Sequence, residues 1–285
     1  MTIKIFVDSA CDLPLSYLNQ HDITLLPLHV HINNENYEDL KTIDPATLYK
    51  KIRAGEMPKT SQATPRLMDK EFVALAEANQ PGIYIAFSSE LSGTYQTAMM
   101  IRNQVKEEYP QLDLTIIDSK AASLGYGLIV MEAVKQLQAG ATKNQLIDTI
   151  QFHCKHMEHI FTVEDLQFLA RGGRLSRASA FLGGLLNIKP LLHVEDGKLI
   201  PIEKIRGRKK LLKRMVDLME ERGEALDQQV IGISHGGNID KANELKNLIQ
   251  SRLNVKDIYI NIIGSAIGSH SGPDTLALFF LNKVK

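Results

Sequence analysis

Two cysteines, Cys11 and Cys154, are all that the 285 residues contain. They are too few for a zinc site built from cysteine alone and give no disulfide framework of the secreted kind. Net charge is absent as well: 33 Lys and Arg are balanced by 33 Asp and Glu. A balanced chain is not a general nucleic-acid binder, although a local basic patch stays open. No apolar run approaches the roughly 18 residues of a membrane-spanning helix. The first residues, Met1 to Asp8, lack the apolar core of a signal peptide and read as a first strand. A cytoplasmic location is expected. Nucleotide fingerprints are missing too. Gly125-Tyr126-Gly127 has no third glycine, since Val130 stands in its place, and there is no Walker A sequence. Gly264-Ser265-Ala266-Ile267-Gly268 sets its serine one place early for a nucleophile elbow.

What is present is an ordinary globular composition, 44% hydrophobic and 23% charged, in a length that suits two medium domains. Apolar runs at 4–7, 23–32, 83–87 and 112–117 read as strands. Helical stretches alternate with them. Asp44-Pro45 opens one that ends near Gly55, and Thr64-Pro65 opens the next, with Lys59 to Ala63 a polar loop before it. Two more run over 123–138 and 142–158. Alternation of this kind argues for a parallel, doubly wound sheet. Its strand ends Asp8-Ser9, Ser88-Ser89 and Asp118-Ser119 should lie side by side on one edge. After residue 158 the pattern changes. A short helix is expected over 164–170, an apolar helical piece over 176–186, and a hairpin over 191–202 around Asp196-Gly197. Helices over 208–221 and 239–253 and strands over 230–234, 258–263 and 275–281 follow. The expected fold class is therefore α/β with two domains, 1–158 with a doubly wound, mostly parallel sheet and 159–285 with a mixed sheet.

Phe87 to Gln96 puts hydroxyls and Gly93 where a strand turns into a helix. Ser92 there fits a helix cap, and the same place suits an anion. His270 sits in a glycine-rich turn between Ser269 and Ser271, suited to a general base or a carboxylate partner. His153, Cys154, His156 and His159 lack the pairing of a metal set and read as a polar helix end, so no metal is expected. Residues 171–214 carry twelve basic side chains against three acidic ones, a solvated face or a surface for an anionic partner. Phe181 is the only aromatic in that span, so base stacking has no platform and nucleic acid is not expected as a partner. A serine hydrolase using Ser92 or Ser119 with His270, with Asp118 as the available carboxylate, stays as an alternative.

Several stretches together resemble the DegV family. They are Asp8-Ser9-Ala10-Cys11-Asp12-Leu13, Lys59-Thr60-Ser61-Gln62, Ser88 to Tyr95, Gly173-Arg174-Leu175, Asn187-Ile188-Lys189-Pro190, Arg206-Gly207-Arg208-Lys209-Lys210 and Gly268 to Pro273. They follow the family's order along nearly the whole chain. The resemblance implies a non-catalytic carrier that encloses one long-chain fatty acid, such as palmitate or oleate, between two domains, with no cofactor. It implies carboxylate contacts at Thr60, Ser61, Ser92 and Gly93. It places His270, Arg174 and Arg206 near the carboxylate or facing a separate fatty acid kinase subunit, which would make acyl phosphate for phospholipid synthesis. A monomer is expected. Ala63, where a proline is common, and Asp274, where a glycine is usual, depart from the pattern.

Overall fold

The computed structural model describes residues 2–175 and 188–285. Four strands of the N-terminal half form an all-parallel sheet: β1 (Lys4–Asp8), β2 (Thr24–Leu26), β6 (Gly82–Ala86) and β7 (Leu114–Asp118), in the order β2-β1-β6-β7. β6 is buried at every position and β1 at all but its first, as befits strands covered on both faces. One face packs Phe6, Tyr84 and Leu114 against α3 (Pro65–Glu77) and α4 (Thr94–Glu108). The other packs Ile5, Val7, Ile83 and Ile85 against α1 (Leu15–Gln20), α5 (Ser123–Gln138) and α6 (Lys143–His156). A small antiparallel sheet, β3 (His29–Ile32), β4 (Glu35–Glu38) and β5 (Lys59–Ser61), runs in the order β4-β3-β5. It packs on α2 (Pro45–Arg53), which Asp44 caps by accepting from Thr47 N at 2.9 Å.

The second half holds six strands: β8 (Met157–Thr162), β9 (Ile188–Glu195), β10 (Lys198–Arg206), β11 (Val230–His235), β12 (Asp257–Ile262) and β13 (Leu276–Leu281). Their order is β10-β9-β8-β13-β11-β12, and only β11 and β12 run parallel. Helices α8 (Arg208–Arg222) and α9 (Ile239–Arg252) cover one face. Two short helices, α7 (Gln167–Arg171) and α10 (Ser265–Ser271), complete this half. The whole is the expected α/β class, one parallel sheet and one mixed sheet.

Between the two sheets lies α5, buried on every side from Ser123 to Val130, as a helix with no solvent face must be. Its glycines have a packing purpose. A Cβ on Gly125 would come within 2.3 Å of His159 Nε2, and one on Gly127 within 2.5 Å of the Cys11 carbonyl. Gly125-Tyr126-Gly127 is thus a helix interior pressed between layers, and Tyr126 OH serves the strand ends by accepting from Asp8 N at 3.1 Å.

Some expectations need correction. The single strand over 23–32 is two, β2 and β3, because Pro27 between them supplies no N–H to a ladder. Lys59 to Ser61, read as loop, is β5, whose Thr60 pairs with Val30. His159 is not on the helix end with His156; it is buried in β8, while His156 Nδ1 lies 2.8 Å from Asn282 Oδ1. The segment carrying His270 is a helix, α10, rather than a turn. The apolar piece expected over 176–186, with Arg177, and Asn187 lie outside the described residues.

Candidate functional site

The expected edge of strand ends exists, and its carboxylates organise the loop after β6. Asp8 accepts from Phe87 N at 2.8 Å, Tyr84 OH at 3.0 Å and Ala10 N at 3.2 Å. Burial pushes its carboxyl up to about 7 against those hydrogen bonds. Asp118 accepts from Ser89 N at 3.1 Å, and Ser88 Oγ donates to the Gly197 carbonyl in the β9–β10 turn at 2.9 Å. The loop is therefore tied to both sheets. At its end Gly93, not Ser92, occupies the cap position of α4. Ser92 stands one residue earlier and accepts from Thr94 N at 3.3 Å, so its hydroxyl does part of the capping.

Opposite this loop, β5 carries Thr60 and Ser61. Thr60 Oγ1 lies 2.6 Å from His270 Nε2, a contact between residues 210 positions apart. Ser61 Oγ is engaged by His31 Nε2 at 2.8 Å. His270 is held in turn because α10 is anchored at its start. Asp39 accepts from Ser265 N at 2.9 Å and Ala266 N at 3.1 Å, and Asp12 accepts from Gly264 N at 2.9 Å. Two buried carboxylates thus meet the amides that open this short helix. Close packing completes the anchor: a Cβ on Gly268 would sit 2.7 Å from Tyr49 OH, and one on Gly172 2.2 Å from His270 Nδ1.

Arg174 fills the remaining side. Its Nε donates to the Leu91 carbonyl at 2.9 Å and its Nη1 to the Gly172 carbonyl. Burial, and then the Arg174 guanidinium, push the His270 imidazole down to about 4, so the ring is neutral at pH 7. Thr60 and His270 therefore meet as two neutral groups that can pass a hydrogen bond in either direction.

These side chains border a cavity of about 470 Å³. Thr60, Ser61, Gln62, Ser92, Gly93, Arg174 and His270 all line it. The rest of its wall is largely apolar and drawn from both sheets, including Leu28, Phe87, Phe161, Leu199, Ile263 and Phe279. Six of the seven site residues read from the sequence are brought together here. Arg206 is not. It ends β10 beside a separate cavity of about 330 Å³, with Lys189, Arg208 and Lys241. Much of the basic stretch is already paired: Arg214 with Glu203 at 2.8 Å, Arg208 with Glu244, and Lys189 with Glu164.

The hydrolase alternative finds no geometry. Ser119 lies outside the cavity, with its buried Oγ accepting from Ala121 N at 3.2 Å. The Nε2 of His270 is occupied by Thr60, and among the described residues no carboxylate bonds to the ring. Asp274 takes φ +63°, a left-handed conformation that Asp tolerates, and pairs with Lys241 at 3.0 Å. The departure from glycine there adds an ion pair and lines the 330 Å³ cavity rather than the 470 Å³ one.

Gln62 and His159 are among the lining residues that the sequence reading did not assign. Gln62 lies against Gly93, whose added Cβ would stand 2.8 Å from its Oε1. It was adjacent to the marked Thr60-Ser61 pair, which was the available signal. His159 has both nitrogens on backbone, accepting from Ala122 N at 3.3 Å and lying 3.1 Å from the Met157 carbonyl. No sequence signal separated it from its neighbours His153 and His156.

Known proteins share this architecture over its full length. A DegV-domain-containing protein of Clostridium perfringens is 39% identical over 284 residues, spanning 99% of this chain and 98% of its own. A fatty acid-binding protein of Thermotoga maritima is 32% identical over 283 residues, 97% of this chain and 96% of its own. Among solved structures, a fatty-acid-binding DegV family protein from Thermus thermophilus superposes with a TM-score of 0.89 at 30% identity, covering 98% of this chain and 99% of that one. The DegV family model matches residues 2–283. With that match and those relatives, the chain belongs to the DegV family.

Proposed function

We propose that this protein is a non-catalytic carrier that holds one long-chain fatty acid in the 470 Å³ cavity, between a unit of residues 1–158 and one of 159–285. The observation that carries the reading is the Thr60–His270 contact at the polar border of an otherwise apolar cavity. An apolar tail gains about 0.8 kcal/mol per methylene on leaving water. A buried carboxylate must meet donors or lose more than the tail gains. Thr60 Oγ1, Ser92 Oγ and the amides around Gly93 supply them. With His270 neutral, its Nε2–H donates to Thr60 Oγ1 and turns the Thr60 hydroxyl proton toward the ligand. Ser61 and Arg174 complete the polar border, the latter adding positive potential behind His270.

In the finer form of the proposal, the carboxylate is presented to a separate fatty acid kinase subunit that converts it to acyl phosphate. Arg206, outside the cavity, then belongs to the partner-facing surface. Extraction of the purified protein, followed by mass spectrometry, is expected to return a co-purifying fatty acid. Delipidated protein is expected to bind palmitate or oleate. Absence of any lipid, together with no binding of either added acid, overturns the carrier reading.

A further inference from the structure

One face of the mixed sheet continues from the inside of the cavity to the outside of the molecule. Thr275 just before β13, and Ala277 and Phe279 within it, line the cavity in alternation. On β8, Phe161 faces Ala277 and His159 faces Phe279. The next row of the same face, Met157 with Leu281, no longer belongs to the cavity. It lines an outer groove of about 1060 Å³, together with Leu128 of α5. The two spaces are thus separated by a single row, His159 and Phe279.

That row is built to stay in place. The rings meet edge to face with centroids 5.3 Å apart. Both residues are buried, His159 at 3% and Phe279 at 2% exposure. Gly125 presses on both from α5, leaving no room for a Cβ against either ring. The two backbone contacts of His159 fix its ring plane from Ala122 on one side and Met157 on the other. A histidine in an acyl cavity would otherwise add an unpaired polar group to an apolar wall; here both nitrogens are turned to backbone.

We infer that His159 and Phe279 form the stop of the acyl cavity and set the longest tail the protein accommodates. The inference rests on the carrier reading, since only a tail in this cavity can meet the row. Affinity is then expected to rise about fourfold with each added carbon while the tail stays inside. It breaks from that slope at the length that reaches the stop. Opening the row joins the cavity to the outer groove, so a longer tail can run on over the Met157–Leu281 row.

The test is a series of saturated acids from decanoate to docosanoate, titrated into the delipidated wild-type chain and into His159→Ala, Phe279→Leu and Leu281→Ala. In the wild type a break in the series is expected. In His159→Ala and Phe279→Leu it is expected to move to longer acids, and in the groove-side Leu281→Ala it stays. A wild-type series with no break up to docosanoate overturns the stop, whether or not the variants fold. So does a break at one unchanged length in both cavity-side variants. Failure of the wild type to bind any acid of the series would instead overturn the carrier reading.

Discussion

Replacing Thr60 with alanine is the perturbation that most directly separates a ligand anchor from a structural hydroxyl. Among the described residues the side chain is hydrogen-bonded to His270 Nε2 at 2.6 Å, and it borders the cavity. On the carrier reading, Thr60 Oγ1 would receive that bond and donate to a carboxylate. A hydrogen bond to a charged group contributes about 1.5–3 kcal/mol. Its loss should weaken fatty-acid binding by roughly 10- to 150-fold. Thr60→Ser keeps the hydroxyl and should recover most of the affinity. The assay is calorimetric titration of delipidated protein with palmitate at neutral pH, with urea denaturation alongside to measure folding. Loss of one methyl and one hydroxyl on the short edge strand β5 should cost the fold far less than it costs binding. A dissociation constant for Thr60→Ala within threefold of wild type would refute the anchor. So would an equal loss in Thr60→Ser, because then shape rather than the proton matters.

Three other outcomes follow from the same geometry. Asp39→Ala leaves the buried Ser265 and Ala266 amides without their acceptor, so it should lower stability by about 3 kcal/mol in urea and reduce fatty-acid affinity by displacing His270. Burial holds His159 at about 4 against an ordinary 6.5; the unfolded chain takes up that proton first as pH falls, so stability is lost between pH 6.5 and 4. That loss is about 3 kcal/mol at pH 4, and it should be missing from the acid branch of a His159→Gln denaturation profile. Arg206→Ala should leave palmitate affinity unchanged, since Arg206 lines the other cavity, while lowering phosphate transfer to the bound acid by a fatty acid kinase subunit; loss of bound lipid in that variant would show that Arg206 serves the cavity after all.

The parallel sheet was legible because three of its strands, β1, β6 and β7, are apolar runs leading to Asp or Ser, and the β9–β10 hairpin because Asp196-Gly197 marks its turn. What could not be read depends on partners distant in sequence. β5 is three residues long and exists because Thr60 pairs with Val30. α10 contains glycine and serine, poor helix formers. It is a helix because Asp12 and Asp39, both buried, meet its first amides and Tyr49 packs on Gly268. Motif resemblance drew Thr60, Ser92, Arg174 and His270 to one place and left Arg206 two positions, near the carboxylate or facing a kinase subunit; β10 ends away from the cavity. The wall of the cavity carried no motif, since Leu28, Phe87, Phe161 and Phe279 are ordinary core residues until two sheets leave a gap between them. His159 was hidden for a related reason: three histidines close in sequence occupy a helix and a strand with different surroundings.

The contact between β5 and α10 has a further consequence for the empty protein. Ligand binding stabilises whatever conformation brings the anchors together, and the proposed anchors ride on separate layers: Thr60 on the small sheet, Ser92 after the parallel sheet, His270 on the connection between β12 and β13 of the mixed sheet. On the carrier reading, an occupied cavity would therefore act as a rivet through three layers, adding to the direct bonds that Thr60, Arg174 and Ser88 already make along the seam between them. Amide exchange should report this as a difference confined to β5, the Ser88–Gly93 loop and α10, with the centre of β6 unchanged. Depletion of ligand would then be felt first as susceptibility to proteolysis along that seam, making the lifetime of the chain a measure of its load.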